Sequence, residues 1–292
     1  MRRALLAAAL LVAVPAAAQA QRGLLVVAHG AGREWNDRVR QTLAQVDWHE
    51  GPSAIAFLMG EEKDSMGWDS AVARLVREGA RSVVVVPLMV SSHGSHYRQI
   101  RYYAGELAAM PAELAGHEHH GAHATPAVPM QVTPALDAAP ELAEALAARW
   151  SELDARDRQR PLLLVAHGPN DAGDAERWIA DIRAVSAGLQ RATGRELHVA
   201  LLRDDAPAEV RAQAVAAMRD TVLAMAARAG DSVVAMPVMI SKGAITHQKI
   251  PRDLAGLPLR YRPEPLAPLP MLARWIERSA RGEIVVGDLG VR

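Results

Sequence analysis

One phrase is written twice in this chain, as Leu24-Leu-Val-Val-Ala-His-Gly30 and again as Leu162-Leu-Leu-Val-Ala-His-Gly168. An apolar run that short, closed by a glycine, predicts a strand buried on both faces rather than a helix. Each copy carries a histidine at its carboxyl end. Open parallel sheets bind ligands just beyond the carboxyl ends of their strands. His29 and His167 therefore hold equivalent places where such folds do chemistry.

The repetition extends over the whole chain. In the first half, 54–58 and the β-branched run 83–87 read as further strands, with a short one near 128–132. Helical spacing covers 33–46, 68–78 and 140–150. The second half repeats the order: a strand at 162–166, a helix over 175–191, a strand at 197–202 and a helix opening at Asp205 and Pro207. That helix has apolar positions at Val210, Ala214, Met218, Val222 and Met225. Ser232-Val-Val-Ala-Met-Pro237 mirrors Ser82-Val-Val-Val-Val-Pro87, and Pro265…Pro270 echoes Pro134…Pro140. The expectation is an α/β protein of two tandem domains, 21–152 and 153–292, each a four-stranded parallel sheet flanked by helices.

Residues 1–20 have the layout of a secretory signal peptide: Arg2-Arg3, an apolar run to Ala18, and the small-residue site Ala18-Gln19-Ala20. Export, with a periplasmic location and no membrane attachment after cleavage, is the expectation. There is no cysteine, so disulfides, thiolate nucleophiles and thiolate metal sites are excluded. Lys plus Arg and Asp plus Glu number 33 each and are interspersed, which argues against a nucleic-acid surface. Residues 116–126 break the first half as an insertion rich in histidine, with His117, His119, His120 and His123. Their spacing suits a metal ion but lacks a scaffold; delivery of an ion and a solvated linker are both open readings.

After the third strand of each half stands a second histidine-bearing loop, with His93 and His96 in the first and His247 in the second. Aligned without a gap, Tyr97 rather than His96 falls opposite His247. Strands one and three are expected to be neighbours, so His29 would face His96 (with His93), and His167 would face His247. Neutral imidazole binds mid to late first-row divalent ions and takes up protons near neutral pH. A reaction that needs both is metal insertion into a macrocycle, where the ion is held while pyrrole protons leave. The plainer alternative is histidines that cap strands and satisfy backbone groups.

The strand-His-Gly opening, the Val-rich strand ending in Pro, the Ser/Gly-His loop and the Pro-Leu close, in that order and twice, resemble the sirohydrochlorin cobaltochelatase/ferrochelatase family, the small class II tetrapyrrole chelatases in their long two-half form. The resemblance implies a lyase acting on a tetrapyrrole and a divalent ion (Co or Fe, with Ni or Zn as alternatives) and needing no organic cofactor. It implies a monomeric pseudo-dimer whose active site lies in the cleft between the halves. Carried over by position, His29 and His96 are the catalytic pair, and His167 and His247 are their second-half matches. Arg98, Arg101 and Lys242 are candidates to hold carboxylates of the macrocycle. The chain departs from the family pattern at Ala31 and Pro169, where a serine is usual, and at Gln99 and Lys249, where an acid is usual. A hydrolase reading lacks a Gly-x-Ser-x-Gly turn, and a histidine phosphatase would need arginine at Ala28 or Ala166. The remaining alternative is an exported protein that binds metal or tetrapyrrole without catalysis.

Overall fold

Leu24 to Ala28 and Leu163 to Ala166 have no exposed surface at all, the burial of strands covered on both faces. The computed structural model, which describes residues 21–114 and 126–283, places them at the centres of two sheets. The first contains β1 (Gln21–Ala28), β2 (Ser53–Phe57), β3 (Ala80–Pro87) and β4 (Met130–Val132). The second contains β5 (Leu162–Ala166), β6 (Leu197–Leu201), β7 (Val233–Val238) and β8 (Leu259–Tyr261). Their orders are β2-β1-β3-β4 and β6-β5-β7-β8, and every pairing is parallel. The expected pair of four-stranded parallel α/β units is what the chain forms, and strands one and three are neighbours in each.

Alternation along the central strands sets the layers. Leu24, Val26 and Ala28 point into the same apolar cluster as Leu162, Leu164 and Ala166. The alternate residues Leu25 and Val27, or Leu163 and Val165, enter two separate outer clusters. The shared cluster lies between the sheets, where α1 (Arg33–Leu43), α4 (Pro140–Ser151), α5 (Ala172–Thr193) and α8 (Pro270–Ala280) pack on one another. Trp275 is fully buried in it. The outer faces are covered by α2 (Trp68–Arg77) and α3 (Ser95–Tyr103) on one sheet and by α6 (Ala208–Ala229) and α7 (Ile250–Asp253) on the other. No helix among the described residues is long and apolar enough to cross a membrane.

The expected boundaries shift where polar residues do structural work. The helix anticipated at 175–191 begins at Ala172, because the Asp171 carboxylate accepts the Asp174 amide as an N-cap. It runs for 22 residues to a left-handed Gly194. β1 starts at Gln21, three residues before the apolar run, by pairing with Ala80. The strand β8 has no apolar run to announce it; Leu259-Arg260-Tyr261 is a half-exposed edge between Pro258 and Pro263. The leader over 1–20 lies outside the described residues, as does the insertion over 116–126 apart from Pro126.

The connection between the halves is fixed by one carboxylate. Asp157, 1% exposed, accepts from Arg160 Nη1 at 2.8 Å and from Arg262 Nε at 2.8 Å, and it contacts Arg260 Nε at 2.7 Å. It thereby ties the linker to the β8 edge of the second sheet. Removing one member of a buried ionic network strands the charges left behind, at about 3–5 kcal/mol. Asp157→Ala is expected to lower the unfolding free energy by about that amount, measured by urea denaturation.

Candidate functional site

The sharp ends of β1 and β5 come from glycines that no other residue replaces cheaply. Gly30 has φ 84, and a Cβ there would stand 2.2 Å from the Met59 carbonyl oxygen. Gly168 has φ 78, with a Cβ 2.8 Å from that of Leu201. These turns bring the glycine carbonyls back over the histidines. His29 Nδ1 lies 2.9 Å from Gly30 O, and His167 Nδ1 lies 2.9 Å from Gly168 O. A carbonyl can only accept, so Nδ1 carries a proton in both rings; Nε2 of His29 is left with the lone pair, whereas Nε2 of His167 faces the Asp205 carboxylate.

His96 arrives from α3, one residue inside its start. Its ring stands edge-on to that of His29, with centroids 5.0 Å apart and planes at 86°. Its Nδ1 is 3.0 Å from Gln99 Oε1, while the Gln99 amide nitrogen donates to the Tyr103 hydroxyl at 2.8 Å. Residues 96, 99 and 103 share one helix face, and Gln99 is 1% exposed. Gln99 thus bridges the two rings, with Oε1 toward His96 and its amide nitrogen toward Tyr103. Gln99 stands where the resembling family has an acid and keeps the acceptor geometry without the charge. Burial of the ring, then the neighbouring His96, pushes His29 down to about 4 from the usual imidazole value. It is a neutral donor throughout the physiological range.

A cleft of about 700 Å³ opens above the pair, lined by both halves. His29 and His96 stand on its first-half side and His167 on the other, and His29 senses the charges of His167 and Asp205. His167 Nε2 lies 3.4 Å from Asp205 Oδ2. Asp204, paired with Lys249 and with Arg211, sits beside them. Donor atoms of His167, Asp204 and Asp205 all fall within 4.8 Å of one another. The two aspartates escaped the sequence reading because only their place, just past β6, distinguishes them from other loop acids.

The other expected ligands lie elsewhere. His93 turns away from the cleft to Asp181 at 3.2 Å, whose carboxylate raises its pKa, and it shares that spot with Asp137. His247 does not face His167. It falls in the wide π-helical turn Ile245–Lys249, which puts Thr246 and Lys249 on the cleft wall instead. Its pKa is lowered by burial and then by Lys242. Of the expected carboxylate holders, Arg98 is bound to Asp174 and Glu113, Arg101 to Glu106, and Lys242 to Glu34. None of those three side chains lines the cleft. The structure thus assembles His29, His96 and His167 and separates His93 and His247 from them.

Two parallel four-stranded halves thus meet around one cleft, with histidines at their strand ends. The model of the CbiX family matches residues 23–153, most of the first half. The whole described fold superposes on solved chelatases. One is the sirohydrochlorin chelatase SirB of Bacillus subtilis subspecies spizizenii in complex with cobalt, at 14% identity and TM-score 0.59, covering 89% of this chain and 94% of that one. Another is SirB from Bacillus subtilis with Fe3+, at 15% identity and TM-score 0.60, covering 92% and 97%. A multi-domain Deinococcus radiodurans protein, described as structurally similar to chelatases with two additional novel domains, matches at 16% identity and TM-score 0.57, covering 89% of this chain and 55% of that one. No curated protein sequence matches the chain.

The tautomer and environment of His29 predict its titration. Followed by NMR of its ring, His29 should stay neutral from pH 8 to 5 and protonate with a midpoint of about 4. His96→Ala should move that midpoint upward, by removing the neighbouring charge and admitting water.

Proposed function

We propose that this chain is a chelatase that places a divalent metal, cobalt or iron, into a tetrapyrrole of the sirohydrochlorin type. One observation carries the reading: two perpendicular imidazoles 5.0 Å apart, each with Nδ1 engaged, stand at the wall of a cleft lined by both halves. Metal-ligating histidines are held in this way, with the second nitrogen donating to a carbonyl or carboxylate. His29 and His96 hold the ion, His29 loosely, because its lowered basicity weakens its grip on metal as well as on protons. His167, with Asp205 beside it, takes up pyrrole protons from the opposite face as nitrogen–metal bonds replace nitrogen–hydrogen bonds. The family match of the first half and the fold shared with SirB support the reaction class.

The remaining organisation is proposed with it. Residues 21–152 and 153–292 act as two chelatase-like halves of a monomeric pseudo-dimer, for which the shared core between the sheets is the support. The leader at 1–20 sends the protein to the periplasm. The second reading, an exported metal- or tetrapyrrole-binding protein without turnover, is favoured by Gln99, which orients His96 but adds no negative charge to raise its basicity.

Turnover separates the two. Mature protein mixed with sirohydrochlorin and Co(II) or Fe(II) should change the macrocycle's absorbance faster than the uncatalysed insertion. His29→Ala and His96→Ala should each slow that rate by about a hundredfold or more. Tight ligand binding with no rate above background selects the binding reading. Gln99→Leu releases the His96 ring and should weaken Co(II) binding at the cleft by about 10–100-fold, read as the affinity lost relative to a His29→Ala/His96→Ala control. Gln99→Glu should retain it.

A further inference from the structure

We infer that the macrocycle this cleft accepts carries few ionised carboxylates, with alkyl, amide or ester groups at its rim in place of free acids. The inference rests on the chelatase reading and alters its substrate at the rim, to a sirohydrochlorin-like ring whose acids are masked.

The walls are apolar and aromatic. Trp35 and Trp178 enter from opposite halves, with Met89 and Val90 after β3 and Met239 and Ile240 after β7. The two indoles hold matching positions against glycine-bearing loops. A Cβ on Gly94 would lie 4.0 Å from Trp178, and one on Gly243 would lie 3.3 Å from Trp35. A side chain at Gly243 would press on Trp35, while one at Gly94 would only touch Trp178; the two indoles supply aromatic surface suited to a planar π-system.

The charges oppose a polyacid. Lys249 is the one lysine or arginine among the described residues that line the cavity, and it is bound to Asp204, whose side chain is 3% exposed. Arg98, behind the wall, is bound to Asp174, 7% exposed. A substrate carboxylate could recruit either cation only by taking it from a buried aspartate, which would then be left desolvated and unpaired. Asp205 and Glu113 face the cavity as well, and they repel an anionic rim. The wall also carries the hydroxyls of Ser91, Ser95, Tyr97, Ser241 and Thr246 and the amide of Asn170. Burial raises the Tyr97 phenol above its ordinary value, which keeps its proton in place as a donor. Such groups match amides and esters better than carboxylates.

The test titrates the full chain with sirohydrochlorin, with the same macrocycle after amidation of its acids, and with a dicarboxylate porphyrin, following quenching of tryptophan fluorescence. The amidated macrocycle and the dicarboxylate should bind at least tenfold more tightly than the polyacid. Asp205→Asn should narrow that gap severalfold by improving the polyacid alone. Sirohydrochlorin binding as tightly as its amide, or a gap that Asp205→Asn leaves unmoved, overturns the inference while the chelatase reading stands. Binding of none of the three overturns both.

Discussion

The cleft exists because of an apolar layer that neither half owns. The inward residues of β1 and β5 meet the same set of helices, and Trp275, Leu142 and Leu146 are sealed between the sheets. Fully burying one such side chain contributes about 1.5–3 kcal/mol, so pulling the halves apart would expose many of them at once. Interfaces that are large and apolar do not hinge freely. The carboxyl ends of both sheets are consequently held facing one another, and the histidines they carry inherit a fixed separation.

On that scaffold the chemistry depends on small backbone facts. A glycine at each strand end lets the chain reverse tightly enough for its own carbonyl to hold the preceding imidazole. One turn into α3, an amide does the same for His96. Three rings are thereby oriented through Nδ1 by neutral carbonyl and amide groups. At His29 the site trades basicity for orientation: the ring is aimed, and burial keeps it neutral.

The architecture was legible in the sequence because it rests on patterns that sequence displays. Apolar runs closed by glycine gave β1 and β5, β-branched residues gave β3, and repetition gave the pairing of the halves. β8 was not legible, since a short half-exposed edge strand buries too little to leave a run. In the site, His29, His96 and His167 could be located from their places after strands one and three. The divergence of His247 showed only as the one-residue offset that sets Thr246 against His96, and the wide turn at 245–249 gives that offset its effect on the cleft wall. The acids that neutralise Arg98, Arg101 and Lys242 were equally hidden. Pairing across 76 positions, as between Arg98 and Asp174, has no local signature. Asp204 and Asp205 carried a cue, their place past a strand end, that is too common to single them out.

The two halves keep the same histidine–glycine hinge and matching indoles, and differ in the polar groups around them. Opposite the ring of His96, the second half offers a threonine and a lysine bound to an aspartate. A symmetric pair of identical subunits must make every alteration of its cleft twice, and so presents the same surface to both edges of a guest. A fused chain makes each alteration once. One side of the cleft presents imidazole donors and the other a carboxylate–histidine couple, so the two faces of whatever it holds meet different chemistry.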